Sequence, residues 1–349
     1  MSDREITIRE MAQEWENRHL HPLAARSSLS RGRVLSEEPC PVRTDYQRDR
    51  DRVIHSKPFR RLGRKTQVFL NPDGDHYRTR LTHSLEVTQI ARTIANGLRL
   101  NENLVEAIGL SHDLGHTPFG HSGEAVLRSL AKKGFHHAHQ SVRVVEQVAS
   151  GGKGLNLTWE VRDGILKHSK GNGPILSTEK EVLPATLEGQ IVRLADIIAY
   201  VNHDLEDAMR AGLIAPSKIP PKILRILGDD HSQRVGRLVT NVISATNLEC
   251  GLISMGDEFL EAITSLREFL YENCYDSPLL RREFEKAERL LADLWHYFSD
   301  HRELIPLPGE GDEQLIDWLS GMTDRYAIRI WKDISLPRSW FADLLPKDE

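Results

Sequence analysis

The chain has 349 residues, 39% of them hydrophobic, which is enough for one substantial core or two smaller ones. Charged residues make up 28% and the net charge is -5, so overall charge gives no argument for nucleic-acid binding. Any anion site must be a local cluster. The cysteines Cys40, Cys250 and Cys274 are scattered and form no C-x-x-C pair. They suggest neither a disulfide framework nor a thiolate zinc site, and they fit a reducing cytoplasm.

The first stretch, MSDREITIREMAQEWENRHL, is highly charged and has no apolar h-region, so it does not read as a signal peptide. No apolar run approaches the roughly 18 residues needed to span a bilayer. A cytoplasmic protein without membrane contact is expected. An early helical stretch is followed by a Ser-, Arg-, Gly- and Pro-rich loop from Ser27 to Pro41. Residues 45–70 are strongly basic around their apolar positions, and NPDGDH at 71–76 is a turn cluster.

The next helix is expected from about Thr79 to Leu100. Its apolar stripe is Val87, Ile90, Ala91, Ile94 and Leu98, with His83 one turn before Val87 and therefore pointing inward. A second helix, from about Asn103 to Leu114, carries Leu104, Ile108 and Ser111 on one face, joined by His112. Gly115, Pro118 and Gly120 break it. Loops are expected at 150–154 and 169–174, with helix between them.

A helix from about Thr186 to Met209 has two stripes. Leu187, Ile191, Leu194, Ile198, Val201, Leu205 and Ala208 are apolar. Arg193, Asp196, Tyr200, His203, Asp204 and Asp207 form a polar stripe on the far side. Residues 211–349 read as further helices with breaks near 215–221 and 305–311. No period-2 strand series is convincing, so the expected fold class is all-α.

Histidine is plentiful, at 16, and six of them (His112, His116, His121, His136, His137, His139) crowd one short stretch. Apolar cores tolerate histidine poorly, so chemistry is sought there first. The central motif is HDLGHTPFGHSGE, His112 to Glu124. Adjacent His112 and Asp113 can present an imidazole and a carboxylate to one cation. His83 and Asp196, from other helices, complete an H…HD…D set. Mixed nitrogen and oxygen ligands without sulfur suit one divalent ion: Mg²⁺, Mn²⁺, Fe²⁺, Co²⁺, Ni²⁺ or Zn²⁺. Singly, each feature has a plainer reading: a common dipeptide, a core histidine, a solvated helix face. Their conjunction points to one metal site.

The same residues resemble the HD phosphohydrolase superfamily. The wider motifs look like the bacterial dGTPase-like dNTP triphosphohydrolases: YQRDRDRVIHSKPFRRLGRKTQVF (46–69), YRTRLTHSLEV (77–87), HDLGHTPFGHSGE (112–124), GFHHAHQSVRVVE (134–146), GLNLTWEVRDGILKHS (154–169), RLADIIAYVNHDLEDA (193–208) and WLSGMTDRYA (318–327). The resemblance runs from about residue 20 to 330. It implies an N-terminal segment, 1–76, lending basic residues, an HD core, 77–210, and a phosphohydrolase-associated helical region, 211–349.

The implied reaction takes a dNTP and water to the deoxynucleoside and inorganic triphosphate. Carried over by motif position, His83, His112, Asp113 and Asp196 are metal ligands and His121 with Glu124 is a catalytic dyad. The spacing agrees, since residues three apart at a helix start let the carboxylate orient the imidazole. His116, in the same turn, competes with His121 for that role, and Glu124 has a plainer reading as an N-terminal helix charge.

For the triphosphate, Arg48, Lys65 and Arg80 are the motif-matched cations, and His137 matches a family histidine near the phosphates. Gln67, Tyr200 and Asp204 are implied for sugar and base, with Tyr200 excluding a 2′-hydroxyl by lack of room. Vertebrate relatives carry a lysine and an arginine where this chain has Ile197 and Asp204, so the phosphate grip must differ. Relatives are commonly oligomers, often hexamers, and a homo-oligomer is expected. Two readings compete: an HD phosphohydrolase acting on another nucleotide, and a nucleotide-sensing or single-strand nucleic-acid-binding protein, which the basic segment 48–65 leaves open.

Overall fold

The computed structural model describes residues 6–68, 77–171 and 173–337. The turn expected at 71–76 lies outside the described residues. Among the described residues the protein is helical, and its one β-type pairing is an isolated bridge between Thr66 and Thr79. No described helix is long and apolar enough to cross a membrane.

The N-terminal helices are α1 (Ile8–His19), α2 (Asp45–Ile54) and α3 (Lys57–Leu62). Thr7 and Glu10 close a reciprocal capping box at the start of α1. The centre is built from α4 (Arg80–Gly97), α5 (Glu102–Ser111) and, later in the chain, α9 (Leu187–Arg210). Each starts where a short polar side chain satisfies free N–H groups: Thr79, Asn101 and Thr186.

These three helices pack on one another, with α2 against α5. Val87, Ile90, Ala91 and Ile94 of α4 meet Ile191, Leu194, Ile198 and Val201 of α9 in a continuous buried core. Each such side chain contributes about 1.5–3 kcal/mol by leaving water. Contrary to the far-side placement read from the sequence, the polar stripe of α9 is also shielded: His203, Asp204 and Asp207 are buried. That stripe walls an internal site.

Between α5 and α9 run α6 (Gly120–Leu130), α7 (His137–Arg143) and α8 (Trp159–Lys167). The C-terminal helices are α10 (Pro221–Leu227), α11 (His231–Ala245), α12 (Asp257–Leu270), α13 (Pro278–Asp300), α14 (Gly311–Ser320) and α15 (Asp324–Ser335). A second apolar cluster joins Phe119, Val126, Leu127 and Phe135 to Leu291, Leu294, Trp295, Leu315 and Leu319. So α6 packs on α13, far along the chain.

The turn after His112 and Asp113 is tightly held. A Cβ on Gly115 would lie 2.2 Å from the Ser141 backbone nitrogen, so only glycine lets this turn press on α7. Phe119 adopts a left-handed φ of 62°, a cost of about 1–3 kcal/mol for a non-glycine residue. The surroundings offset it. Its ring enters the second cluster, and its N–H donates to Asp324 Oδ1 at 3.1 Å. Asp324 Oδ2 accepts from the Thr66 N–H at 2.9 Å and from the Thr66 hydroxyl.

Asp324 therefore ties the start of α15 to Thr66 and to the site turn. Asp324→Ala strands three buried donors, each bond to a charged acceptor being worth about 1.5–3 kcal/mol. Urea unfolding should show a loss of about 3 kcal/mol or more. A loss within experimental error would mean that Asp324 does not hold the turn.

Candidate active site

Beneath the turn lies a cavity of about 580 Å³, within the usual range for small-ligand sites. His83 from α4, Asp113 after α5 and Asp196 from α9 line it. Ligand atoms of His83, His112 and Asp113 lie within 4.8 Å of one another. His83 Nε2 is 3.2 Å from Asp196 Oδ1. The structure thus brings His83, His112, Asp113 and Asp196 together, from three helices.

The far side of each imidazole decides what its inner nitrogen can do. His112 stands at the C-cap of α5, and its Nδ1 donates to the Gly109 carbonyl at 2.7 Å. A carbonyl only accepts, so the proton is on Nδ1 and Nε2 carries a lone pair. That Nε2 is buried and has no hydrogen-bond partner. An orphaned acceptor beside carboxylates fits a cation. His83 is braced similarly: its Nδ1 lies 2.9 Å from His203 Nε2, and His203 Nδ1 lies 2.7 Å from Asp204 Oδ1, off the hydrogen-bonding line.

Arg80 Nη1 donates to Asp113 Oδ2 at 2.6 Å, leaving Oδ1 toward His112 at 3.7 Å. Burial opposes the Asp113 charge, but the neighbouring His112 and Arg80 hold its pKa well below the usual carboxylate range. Burial lowers the pKa of His83 and takes His168 down to about 3, so these two imidazoles are neutral bases. On His137 burial acts the same way, but the hydrogen bond and charge of Glu124 outweigh it and raise its pKa.

The acid–base residues are arranged differently from the sequence expectation. His121 is 84% exposed at the cavity, and its Nδ1 is 4.0 Å from Glu124 Oε2, too far for a hydrogen bond. Glu124 instead accepts from His137 Nδ1 at 3.0 Å, the His137 N–H at 3.3 Å and Arg128 Nη2 at 2.9 Å. Burial works against its charge, yet the His137 hydrogen bond and nearby charges lower its pKa to about 2. The imidazole that Glu124 orients is therefore that of His137. His116 is buried, stacks on His137 with ring centroids 4.7 Å apart, and lies 4.0 Å from Glu124.

Two of the cations chosen from the sequence do not reach the cavity. Arg48 faces outward and pairs with Glu37 at 2.7 Å and the Glu38 carbonyl at 3.1 Å. Lys65 is buried behind the site, where its ammonium donates to the Ser320 carbonyl at 2.7 Å and to the His116 carbonyl. Both are engaged by protein groups away from the cavity. Arg80, Gln67, His137, Tyr200 and Asp204 do line the cavity. Asp204 is engaged there by the Tyr275 hydroxyl.

Four lining or supporting residues were missed. Lys170 enters from the 169–174 loop, 5.5 Å from the Tyr200 ring centroid, with burial lowering its pKa to about 7. Tyr275 and His203 surround Asp204. His168 stands at the C-cap of α8 as His112 does on α5, and donates through Nδ1 to the Ile165 carbonyl at 2.7 Å. That shared position, a histidine ending an apolar helix, was the readable signal.

A bundle that sets an H…HD…D group under a cavity defines an HD-domain protein, and residues 80–201 match the HD domain family. Residues 253–333 match the phosphohydrolase-associated domain. Deoxyguanosinetriphosphate triphosphohydrolase-like proteins are similar over nearly full length. The one from Caldanaerobacter subterraneus subsp. tengcongensis is 52% identical, covering 96% of this chain and 98% of its own. Those from Desulfatibacillum aliphaticivorans and Clostridium tetani are 46% and 42% identical, covering 95% and 97% of this chain and 99% of theirs. This chain belongs to that family of HD phosphohydrolases.

His203 tests the bracing. His203→Leu keeps bulk and removes the partner of His83 Nδ1. Supporting residues of this kind are worth about 10–100-fold in metal affinity. Mn²⁺ titration followed by paramagnetic resonance should show such a weakening. Unchanged affinity would mean that His83 needs no support.

Proposed function

We propose that the chain is a metal-dependent deoxynucleoside triphosphate triphosphohydrolase. A dNTP and water give the deoxynucleoside and inorganic triphosphate, with cleavage between the α-phosphorus and the 5′-oxygen. The observation that carries this reading is the meeting of His83, His112, Asp113 and Asp196 at a cavity that Arg80 and Lys170 also line. The names of its relatives, similar over nearly their whole length, point to the same substrate class.

In this reading His83, His112, Asp113 and Asp196 hold one divalent cation. When bound, such an ion lowers the pKa of a water and polarises a phosphoryl oxygen. The chain's own residues do the rest. Arg80 and Lys170 offset the triphosphate's charge, Arg80 through the guanidinium edge that Asp113 leaves free. Tyr200 lies beside the deoxyribose and leaves no room for a 2′-hydroxyl. Asp204 and Gln67 meet sugar and base; Gln67 Oε1 has no protein partner.

His121, at the cavity mouth, serves as the proton carrier: it gives a proton to the leaving 5′-oxygen or takes one from the attacking water. Its exposure lets substrate, rather than Glu124, set its orientation. Glu124 acts through His137.

His121→Ala should lower kcat by about 10²–10⁴ while metal content stays normal. Ion-exchange chromatography of the products should show triphosphate and no orthophosphate. Near-normal kcat would move the proton transfer to His116. Orthophosphate or pyrophosphate as the product would contradict the proposed reaction.

A further inference from the structure

Helix α1 is held inside out. Its one buried residue is Glu16, which accepts from the Ser27 N–H at 2.8 Å, the Ser27 hydroxyl at 2.7 Å and the Asn101 side-chain amide at 3.1 Å. The apolar stripe faces the other way. Ile8, Met11 and Trp15, at helical spacing, are each more than half exposed. The His19 ring stacks on Trp15 with centroids 5.0 Å apart and lengthens the ridge. An amphipathic helix ordinarily turns its apolar face to the core. Here the buried carboxylate pins α1 so that the ridge points outward.

A groove of about 620 Å³ adjoins the ridge. It runs between α4 and the α2–α3 corner, and Ile54, Phe59, Leu85 and Leu110 give it an apolar lining. Ridge and groove share one side of the molecule. The Arg9 N–H donates to the Pro41 carbonyl at 3.0 Å, and Arg43, two residues on, pairs with Asp51 of α2 at 2.8 Å. Arg50, beside Asp51, reaches Glu106 at the groove, 3.4 Å away. At the other end of α1 the His21 N–H donates to the Arg99 carbonyl at 2.8 Å, just past the end of α4.

We propose that this face pairs with the same face of a second copy of the chain, each α1 ridge lying in the other copy's groove. Shape argues for a second copy. A ridge and a groove side by side are complementary to themselves, because a two-fold axis between them exchanges the two. A foreign helix laid in the groove leaves the ridge in water. The lengths agree: at 1.5 Å per residue, Ile8 to Trp15 spans about 10 Å and the groove wall from Leu85 to Asn96 about 16 Å.

Charge agrees as well. Glu14 and Arg18, one turn apart, flank the ridge, and Arg92 and Glu102 stand on the groove rim. Each pair is closed on itself in the single chain, and exchange of partners across the axis keeps every charge matched. A stable pair buries about 800 Å² on each side, roughly 20–30 residues. The exposed side of α1, the groove, and Leu23 and Val42 exposed beside them are of that order. Since α4 turns His83 inward and Leu85 and Gln89 outward, the second copy would press on a helix that carries the active site.

Analytical ultracentrifugation of the full-length chain at micromolar concentration tests the pairing. Wild type should sediment as a dimer or a multiple of one. Met11→Glu and Leu85→Glu, both at exposed positions, should each at least halve the mass, and thermal unfolding checks that both fold. For the contact itself, Met11→Cys chains are mixed with Gln89→Cys chains under mild oxidation. The mixture should give a disulfide-linked pair on a non-reducing gel that neither variant gives alone. A monomeric wild type would overturn the proposal and leave the face to another partner or to solvent. Unchanged mass in either Glu variant would overturn it as well. So would a mixture without the linked pair, or Met11→Cys linking to itself, which would put ridge on ridge.

Discussion

The site depends on the hydrogen bond made by the outer nitrogen of each buried imidazole. A neutral histidine offers one donor and one acceptor, and burial leaves no water to choose between them. In this protein the outer partners choose. The Gly109 and Ile165 carbonyls and the Glu124 carboxylate accept from the Nδ1 atoms of His112, His168 and His137. His83 is placed by His203. The inner Nε2 atoms are left as bases, next to carboxylates that stay ionised. Such a cluster is costly without a cation, because lone pairs and negative charges meet in a poorly solvated space. The same arrangement is well matched once positive charge is supplied.

Distant parts of the chain keep these outer partners in place. Asp317, on α14, accepts from Gln140 Nε2 and from Arg143 Nε and Nη2, each at 2.8 Å. That grip fixes α7, whose first residue is His137. Asp324 and Lys65 hold the turn carrying His116 and Phe119. The phosphohydrolase-associated region, residues 253–333, thus acts as the back wall of the site. A separate globule would leave Phe119 strained and α7 free to rotate, and the Glu124–His137 contact would be lost.

The sequence made the helices legible because their apolar residues recur with helical period and their starts carry Thr or Asn. It also pointed His83 inward, since His83 continues the stripe of α4. Period says which face a residue occupies, but not which residue from another helix meets it. For that reason Glu124 was paired with His121, three residues away, when its closer partner is His137, thirteen residues on and on the next helix. Arg48 and Lys65 were chosen as cations without sight of the carboxylate and carbonyls that satisfy them. His203 is legible only as a member of the polar stripe of α9, and His168 and Lys170 carry no signal of their own, each being a single polar residue in a stretch that reads as helix or loop. The polar stripe of α9 was legible as a stripe, but its burial depends on α4 and on the C-terminal helices that cover it.

The most direct test of this account is the tautomer of each imidazole, read by nitrogen-15 NMR on chelator-stripped protein with labelled histidine at mildly alkaline pH. Single His→Gln variants assign the signals. The account predicts that His83, His112, His137 and His168 carry their proton on Nδ1 before any metal is added, and that in His83 and His112 Nε2 alone shifts when a divalent ion is titrated in. Protons on Nε2 in the stripped protein would contradict it, because the outer hydrogen bonds would then not be what prepares the site.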